Sequence, residues 1–136
     1  MTAIFSDLKN EFQLLDYSAT HSQLLIRSMN NKLKGKIYNI DILFKSVQAV
    51  LFPTLINGIE ISIAEVSEDI KCMLEVHGFT IMEYYRLFSL KDAGGKTFYV
   101  NAGAFGVFQN KLDIFETSLG RYDWGDLGEK ILWYKG

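Results

Sequence analysis

Short runs in which apolar and polar residues alternate recur along the chain, and they limit the folds that it can adopt. The run at residues 37–44 is the clearest of them. The apolar residues that recur at every second position in it are Tyr38, Ile40, Ile42 and Phe44. Successive side chains of a β-strand point to opposite faces, so a period of two is what a half-buried strand requires. We therefore predict a strand here, with Asn39 and Asp41 on a solvated face.

Comparable runs predict about eight to ten short strands over the whole sequence. They span residues 12–17, 22–29, 37–44, 47–52, 59–63, 81–90, 97–102, 105–108, 111–117 and 131–134. Turn signals separate several of them, at residues 30–35, at Asn57-Gly58 and at residues 92–95. Several runs carry apolar residues on both faces, which favours a closed or two-layer arrangement. We predict a mainly β fold, an antiparallel β-sandwich or partly closed barrel with one or two short helices.

The segment from Ser67 to Gly78 departs from this period and predicts a helix. Ser67 suits an N-cap, and Gly78 suits the end of a helix. The residues that recur at helical spacing are Ile70, Met73, Leu74 and His77. A strand is the alternative, because Cys72, Leu74 and Val76 also alternate. A second short helix is predicted within the first ten residues.

Length, charge and cysteine content indicate one domain over residues 1–136. Apolar residues make up 49% of the chain and charged residues 22%, which is ordinary for a globular protein. The 14 basic and 16 acidic residues give a net charge of -2, which argues against a nucleic-acid partner. The N-terminus lacks the pattern of a signal peptide, and a single cysteine does not form a disulfide framework. We expect a cytoplasmic protein without a membrane partner, and the oligomeric state stays open.

Cysteine and histidine, the residues best suited to nucleophilic or metal chemistry, are few. Cys72 and His77 would lie about 140° apart around a helix, or on opposite faces of a strand. Neither geometry brings the thiol and the imidazole to one site. His21 stands beside Ser22, whose side chain would point away from it on a strand. We therefore predict a buried, unreactive Cys72, no catalytic residues, no metal site and no cofactor.

Two other stretches have both a functional and a structural interpretation. Asn39 and Asp41 share one predicted strand face, but no third oxygen ligand for a cation appears at a recognisable spacing. Residues 101–106 contain Gly103 and Gly106, in a pattern that differs from the dinucleotide-binding motif. We expect a solvated face at the first stretch and a glycine-dependent bulge or bend at the second.

An acidic, aromatic segment near the C-terminus is the strongest candidate for a partner-binding site. The candidate residues are Tyr122, Asp123, Trp124, Asp126 and Glu129. Aromatic rings supply large contact areas, and carboxylates complement a basic protein surface. Stacking of Tyr122 or Trp124 on a sugar is one alternative, and covering the end of the core is another.

Three stretches, at residues 20–28, 38–44 and 112–119, resemble segments of small single-domain bacterial immunity proteins of polymorphic toxin systems. The resemblance implies a non-enzymatic, cytoplasmic protein that binds one protein partner, a cognate toxin. Our first hypothesis is therefore a protein-binding module, an immunity-type inhibitor. The alternative is a small-ligand or carbohydrate-binding β-domain, with its site at the aromatic residues or in a pocket between sheets. An enzyme ranks third, because no titratable residues are placed to tune one another.

Overall fold

The fold of the chain was analysed in a computed structural model that describes residues 3–33, 36–78, 86–112 and 128–135. Within these ranges nine strands and one helix form, and all paired strands are antiparallel. The strands are β1 (Phe5–Ser18), β2 (Gln23–Leu33), β3 (Lys36–Lys45), β4 (Ala49–Leu51), β5 (Leu55–Ile63), β6 (Arg86–Lys91), β7 (Thr97–Ala102), β8 (Ala104–Asn110) and β9 (Glu129–Lys135). The helix, α1 (Glu68–Val76), lies between β5 and β6 in the chain. The prediction of a mainly β fold is confirmed.

One residue, Gly103, joins two strands that lie far apart in the sheet. The strand order is β4-β7-β6-β5-β1-β2-β3-β8-β9, so β7 and β8 are separated by five other strands. Only Gly103 lies between them in the chain, which requires the sheet to curl back on itself. The predicted glycine bend is confirmed at this position.

Backbone hydrogen bonds continue around the corner at Gly103. Its N–H donates to the carbonyl of Lys45 at 2.9 Å, and the N–H of Gln48 donates to the carbonyl of Asn101 at 2.8 Å. A Cβ atom at Gly103 would lie 3.1 Å from the Cβ of Ser46, which itself has a φ of 54°.

Partial burial of the Lys45 side chain lowers the pKa of its ammonium group, because desolvation penalises the charged form.

Aromatic contacts across the curled sheet show where the core lies. The ring of Phe88 on β6 lies 5.8 Å from that of Phe44 on β3 and 5.2 Å from that of Phe105 on β8, between centroids. These strands are not neighbours in the sheet, so its two halves face each other as two layers. The fully or nearly buried core residues are Phe12, Leu24, Ile26, Ile40, Ile42, Phe44, Val47, Ile56, Ile59, Ile61, Phe88, Leu90, Val100, Ala102, Phe105 and Val107.

The N-terminal segment forms a strand, so the prediction of a helix there is wrong. Phe5 pairs with Ile61 of β5, and this long-range pairing overrides the weak local helical signal. The Asn57-Gly58 turn prediction is also wrong, because both residues lie inside β5. Gly58 has a φ of 80°, opposite a bulge in β1, and a Cβ atom there would lie 3.0 Å from the Cα of Leu8. The Asn57-Gly58 dipeptide therefore accommodates the bulge in β1 and does not form a turn.

The predicted helix is confirmed as α1, and the strand alternative for this segment is wrong. Ser67 is its N-cap, and the Ser67 hydroxyl accepts a hydrogen bond from the backbone N–H of Ile70 at 3.3 Å. No helix in the described ranges is long and apolar enough to cross a membrane.

Several predicted boundaries differ from the structure, among them those of the connection between β2 and β3. Strand β2 continues to Leu33 and β3 begins at Lys36, so the connection between them is shorter than the predicted loop at residues 30–35. Residues 81–85 and 113–117 of two predicted strands lie outside the described residues.

Candidate functional site

A half-open cavity of about 280 Å³ lies between α1 and the strands β4, β6 and β7. The helix lines the cavity with Met73, Leu74 and His77. The lining residues from the strands are Ala49, Val50, Leu51, Leu87, Tyr99 and Asn101. We call this site the α1 cavity.

The strand side of the α1 cavity follows from the period of two in β6 and β7. Phe88 and Val100 point into the core, so their chain neighbours Leu87 and Asn101 point to the opposite side of the sheet, which we call the outer face. Register places Ala49 of β4 and Leu87 of β6 on either side of Asn101. A small side chain, an amide and a branched aliphatic side chain therefore form one row across three strands.

The helical side of the cavity follows from the 3.6-residue period of α1. Met73, Leu74 and His77 lie on one side of the helix, and Leu74 is only 8% exposed. The opposite side of α1 is acidic, with Glu68 and Glu75 exposed to solvent. The helix thus separates an apolar cavity from a charged surface.

Asn101 is the unusual residue of the cavity wall. It is 1% exposed, and its Oδ1 atom has no hydrogen-bond partner among the described residues. A buried polar atom without a partner costs about 1–3 kcal/mol. The flanking side chains, Ala49 and Leu87, have no group that could donate a hydrogen bond. The α1 cavity therefore has a mainly apolar lining, and one of its lining residues holds a buried acceptor that no described residue pairs.

A second polar cluster is buried on the outer face of β2, β3 and β8. The guanidinium of Arg27 binds the carboxylate of Asp41 through two bonds, Nε to Oδ1 at 2.6 Å and Nη2 to Oδ2 at 2.9 Å. The amide nitrogen of Asn110 also donates to Oδ2 of Asp41, at 2.7 Å. Both charged side chains are at most 1% exposed. Such a buried pair is stable only when further hydrogen bonds complete it, as here.

The buried cluster corrects the prediction of a solvated face at Asn39 and Asp41. These residues are 7% and 0% exposed. The apolar residues Leu25, Leu43 and Phe108 on the same face are also buried, so this part of the sheet is covered on both sides. Sequence analysis did not identify Arg27. Its position was nevertheless a signal, because residues two apart on a strand share a face and Leu25 is apolar. A charged side chain on such a face is buried only when it is paired.

The cluster extends to the segment that follows β8. The amide nitrogen of Asn39 donates to Oδ1 of Asn110 at 3.1 Å and to the carbonyl of Leu112 at 2.7 Å. The N–H of Leu112 donates to the same Asn110 oxygen at 3.1 Å. Both oxygens of Asp41 are engaged, so the cluster holds the chain in place and does not present a free carboxylate to a substrate.

Most of the predicted partner-binding residues lie outside the described residues, namely Tyr122, Asp123, Trp124 and Asp126. Glu129 is exposed at the start of β9, where it pairs with Gln109 of β8. Strands β9 and β4 are at opposite ends of the strand order, and Glu129 does not line the α1 cavity.

The comparisons with known proteins give no family for this chain: no family model, no curated protein and no solved structure matches it. Within the described ranges, no group of three or more His, Cys, Asp or Glu side chains is arranged to hold a metal ion.

Cys72 is exposed on α1, so the prediction that it is buried is wrong. It lies on the side of the helix opposite Met73, Leu74 and His77, where it contributes nothing to the α1 cavity. The prediction rested on the usual burial of free cysteines, whereas the helical period places Cys72 outside the apolar face of α1.

We expect Cys72 to react with a maleimide in the folded protein at close to its rate in the unfolded chain, because an exposed thiol needs no opening of the fold. Intact mass spectrometry over a time course, with and without 6 M guanidinium as the denaturing control, measures both rates. Strong protection that disappears on unfolding would contradict the exposed position.

Proposed function

We propose that this protein is a non-enzymatic binding protein that holds a small apolar ligand in the α1 cavity. The observation that carries the proposal is the cavity itself, about 280 Å³ in volume and lined mainly by apolar side chains. Small-molecule sites are concave and mainly apolar, with a few polar groups that orient the ligand. A volume of about 280 Å³ lies near the lower end of the range typical of small-molecule sites, so it suits a small ligand.

The lining favours binding over chemistry. Of the described lining residues, His77 is the one with an imidazole side chain, and it is exposed. No nucleophile in the lining stands beside it as a partner, since Cys72 points away from the cavity. An uncharged ligand is favoured because the described lining contains no Asp, Glu, Lys or Arg that could pair with a charged one.

Benzofuran, a flat aromatic compound with nine non-hydrogen atoms, is a suitable probe for the proposed site. We expect it to bind with a dissociation constant of about 1 mM, which is typical of the energy that a ligand of this size can gain. In a ¹H–¹⁵N NMR titration, the amide signals that shift should be those of residues 49–51, 73–77, 87 and 99–101.

A matched pair of variants locates the binding. Ala49→Phe fills the cavity from β4 and should abolish the shifts, whereas Ala19→Phe makes the same change in an exposed turn and should preserve them. Unchanged binding by Ala49→Phe, or no binding by the parent protein, would refute the proposed function.

A protein partner is the second candidate, and the exposed edge strand β4 is the observation that favours it. β4 ends the described sheet, and Leu51 on it is 53% exposed beside the α1 cavity. An exposed edge offers unpaired backbone groups to which a partner strand can bind. The acidic α1 next to it, with Glu68, Asp69 and Glu75 against Lys71, complements a basic segment. For the immunity-type role expected from the sequence, we propose this surface in addition to the predicted binding residues at 122–129.

A random 12-residue peptide library displayed on phage tests the second candidate. We expect enriched peptides to combine basic and aromatic residues and to lose binding to Leu51→Lys, because the added charge blocks the edge. Leu55→Lys on β5 is the control, since Leu55 is 48% exposed but lies away from β4 in the strand order. Selected peptides that bind both variants equally would rule out this surface.

A further inference from the structure

We infer that the α1 cavity receives one aromatic side chain of an extended, basic peptide segment, and that the backbone of this segment pairs with the edge of β4. This inference rests on the proposed function, because it needs a cavity that binds an apolar group. It goes further in making that group part of a peptide chain.

β4, the last strand of the described sheet, extends beyond the cover that buries its neighbour β7. Val50 of β4 pairs with Val100 of β7, and residues directly opposite each other in an antiparallel pair point to the same face. Val100 is fully buried, whereas Val50 is 39% exposed. On the outer face, Leu51 is more than half exposed. Solvent therefore reaches β4 on both faces, as a strand that accepts a further strand requires.

The α1 cavity is continuous with this strand. All three residues of β4 line it, although successive side chains of a strand point to opposite faces. Contact with Ala49 and Leu51 alone would confine the cavity to the outer face. Because Val50 lines it as well, the cavity extends to the main chain of β4 or to the side of β4 away from β7.

The small size of Ala49 gives a side chain from an added strand a path into the cavity. Leu87, Asn101 and Ala49 form a row on the outer face, and the next place in this row belongs to a strand that pairs with β4. Neighbouring strands lie about 4.8 Å apart, so the residue opposite Ala49 would be within reach of the cavity. A long side chain there can pass over the methyl group of Ala49 toward Met73 and Tyr99.

The lining and the surface next to it specify the chemistry of the segment. The thioether of Met73 and the ring of Tyr99 favour an aromatic side chain in the cavity. The charged side chains that residues 65–78 expose are Glu65, Glu68, Asp69, Glu75 and Lys71. Four acids against one lysine favour basic residues on either side of the aromatic one.

The peptide acetyl-KTTFTTK-amide is the probe, and its threonines favour an extended backbone. Its order of side chains is the same in both directions, so it tests parallel and antiparallel pairing together. In a ¹H–¹⁵N NMR titration, the amide signals of residues 49–51 and 73–77 should shift. Alanine in place of the phenylalanine should weaken binding about tenfold or more, because the group that enters the cavity is lost. The acidic analogue acetyl-ETTFTTE-amide should bind more weakly at low salt, by about threefold or more.

Two N-methylated forms of the probe test the pairing of its backbone with β4. Alternate N–H groups of a strand point to opposite sides, so only one of two successive residues can donate to β4. One form is methylated at the phenylalanine nitrogen and the other at the nitrogen of the following threonine. One of them should bind about tenfold more weakly than the probe, and the other should bind almost as well.

Ala49→Phe closes the path into the cavity and should remove the preference for phenylalanine over alanine. The control Ala19→Phe, in an exposed turn, should keep this preference. Saturating benzofuran should weaken binding of the probe to the parent protein, because its ring and that of the phenylalanine occupy the same space. The competition and the peptide series need no variant, so a poorly folded Ala49→Phe leaves the inference testable.

The outcomes separate the inference from the proposed function. Binding of benzofuran without binding of the peptide overturns the inference and leaves the proposed function standing. Equal affinities for the phenylalanine and alanine peptides, for the basic and acidic peptides, or for the two N-methylated forms also overturn the inference. If neither benzofuran nor the peptide binds, both the inference and the proposed function are wrong.

Discussion

Asp41→Ala is expected to lower the free energy of unfolding by about 3–5 kcal/mol, because it leaves the Arg27 guanidinium buried without its counter-charge. The carboxylate accepts two bonds from Arg27 and one from Asn110, and its residue is 0% exposed. Urea unfolding followed by circular dichroism measures the change. Glu11→Ala on β1 is the control, since Glu11 is exposed and its loss should cost less than about 0.5 kcal/mol.

A double variant distinguishes an unpaired charge from a simple loss of packing. Arg27→Met combined with Asp41→Leu removes both charges and should be more stable than Asp41→Ala alone. Recovery should be partial, because the amide nitrogen of Asn110 loses its bond to Asp41. If Asp41→Ala costs no more than the Glu11 control, the ion pair does not stabilise the fold as described.

Phe88→Ala is expected to lower the free energy of unfolding by about 3–5 kcal/mol, the usual cost of removing a large buried ring. Phe88 is 0% exposed, and its ring lies within 5.9 Å of those of Phe44, Phe105 and Tyr134, between centroids. It therefore connects β6 to three strands in the other half of the curled sheet. Thermal and urea unfolding give the measurement.

Phe52→Ala is the matched control for Phe88→Ala. Phe52 is half-buried, at the end of β4, and its ring has one aromatic neighbour in the described structure, Phe98 at 6.0 Å. Its truncation should cost clearly less, because less apolar surface returns to water. Equal losses for the two variants would show that Phe88 does not connect the two layers.

The two outer-face sites suggest different uses for buried polar groups. In the cluster around Asp41 the hydrogen bonds are complete, and they extend through Asn39 to Leu112. The chain leaves β8 from a fixed point, directly before the segment that carries the predicted binding residues Tyr122 and Trp124. At Asn101, which lines the α1 cavity, the buried Oδ1 has no partner among the described residues. The first arrangement supports a structural role, whereas at the second site the cavity supports binding.

Local pattern in the sequence was sufficient to predict most individual elements. The alternation at residues 37–44 predicted β3, and the Ser67 cap with its helical spacing predicted α1. These predictions hold because side-chain period and capping depend on residues close together in the chain. The predicted face of Tyr38, Ile40, Ile42 and Phe44 is also the face that packs into the core.

The features that define the candidate sites depend on which strands become neighbours, and only the tertiary structure decided that. Arg27 and Asp41 are both buried because the sheet places them side by side under cover, whereas the alternation alone predicted a solvated face. Oδ1 of Asn101 has no partner among the described residues, and the bend at Gly103 and the pairing with β4 and β6 give it Ala49 and Leu87 as neighbours. The period of two determines that successive side chains of a strand point to opposite faces of the sheet. Whether a given face is buried, and which hydrogen bonds form on it, depends on contacts between residues far apart in the chain.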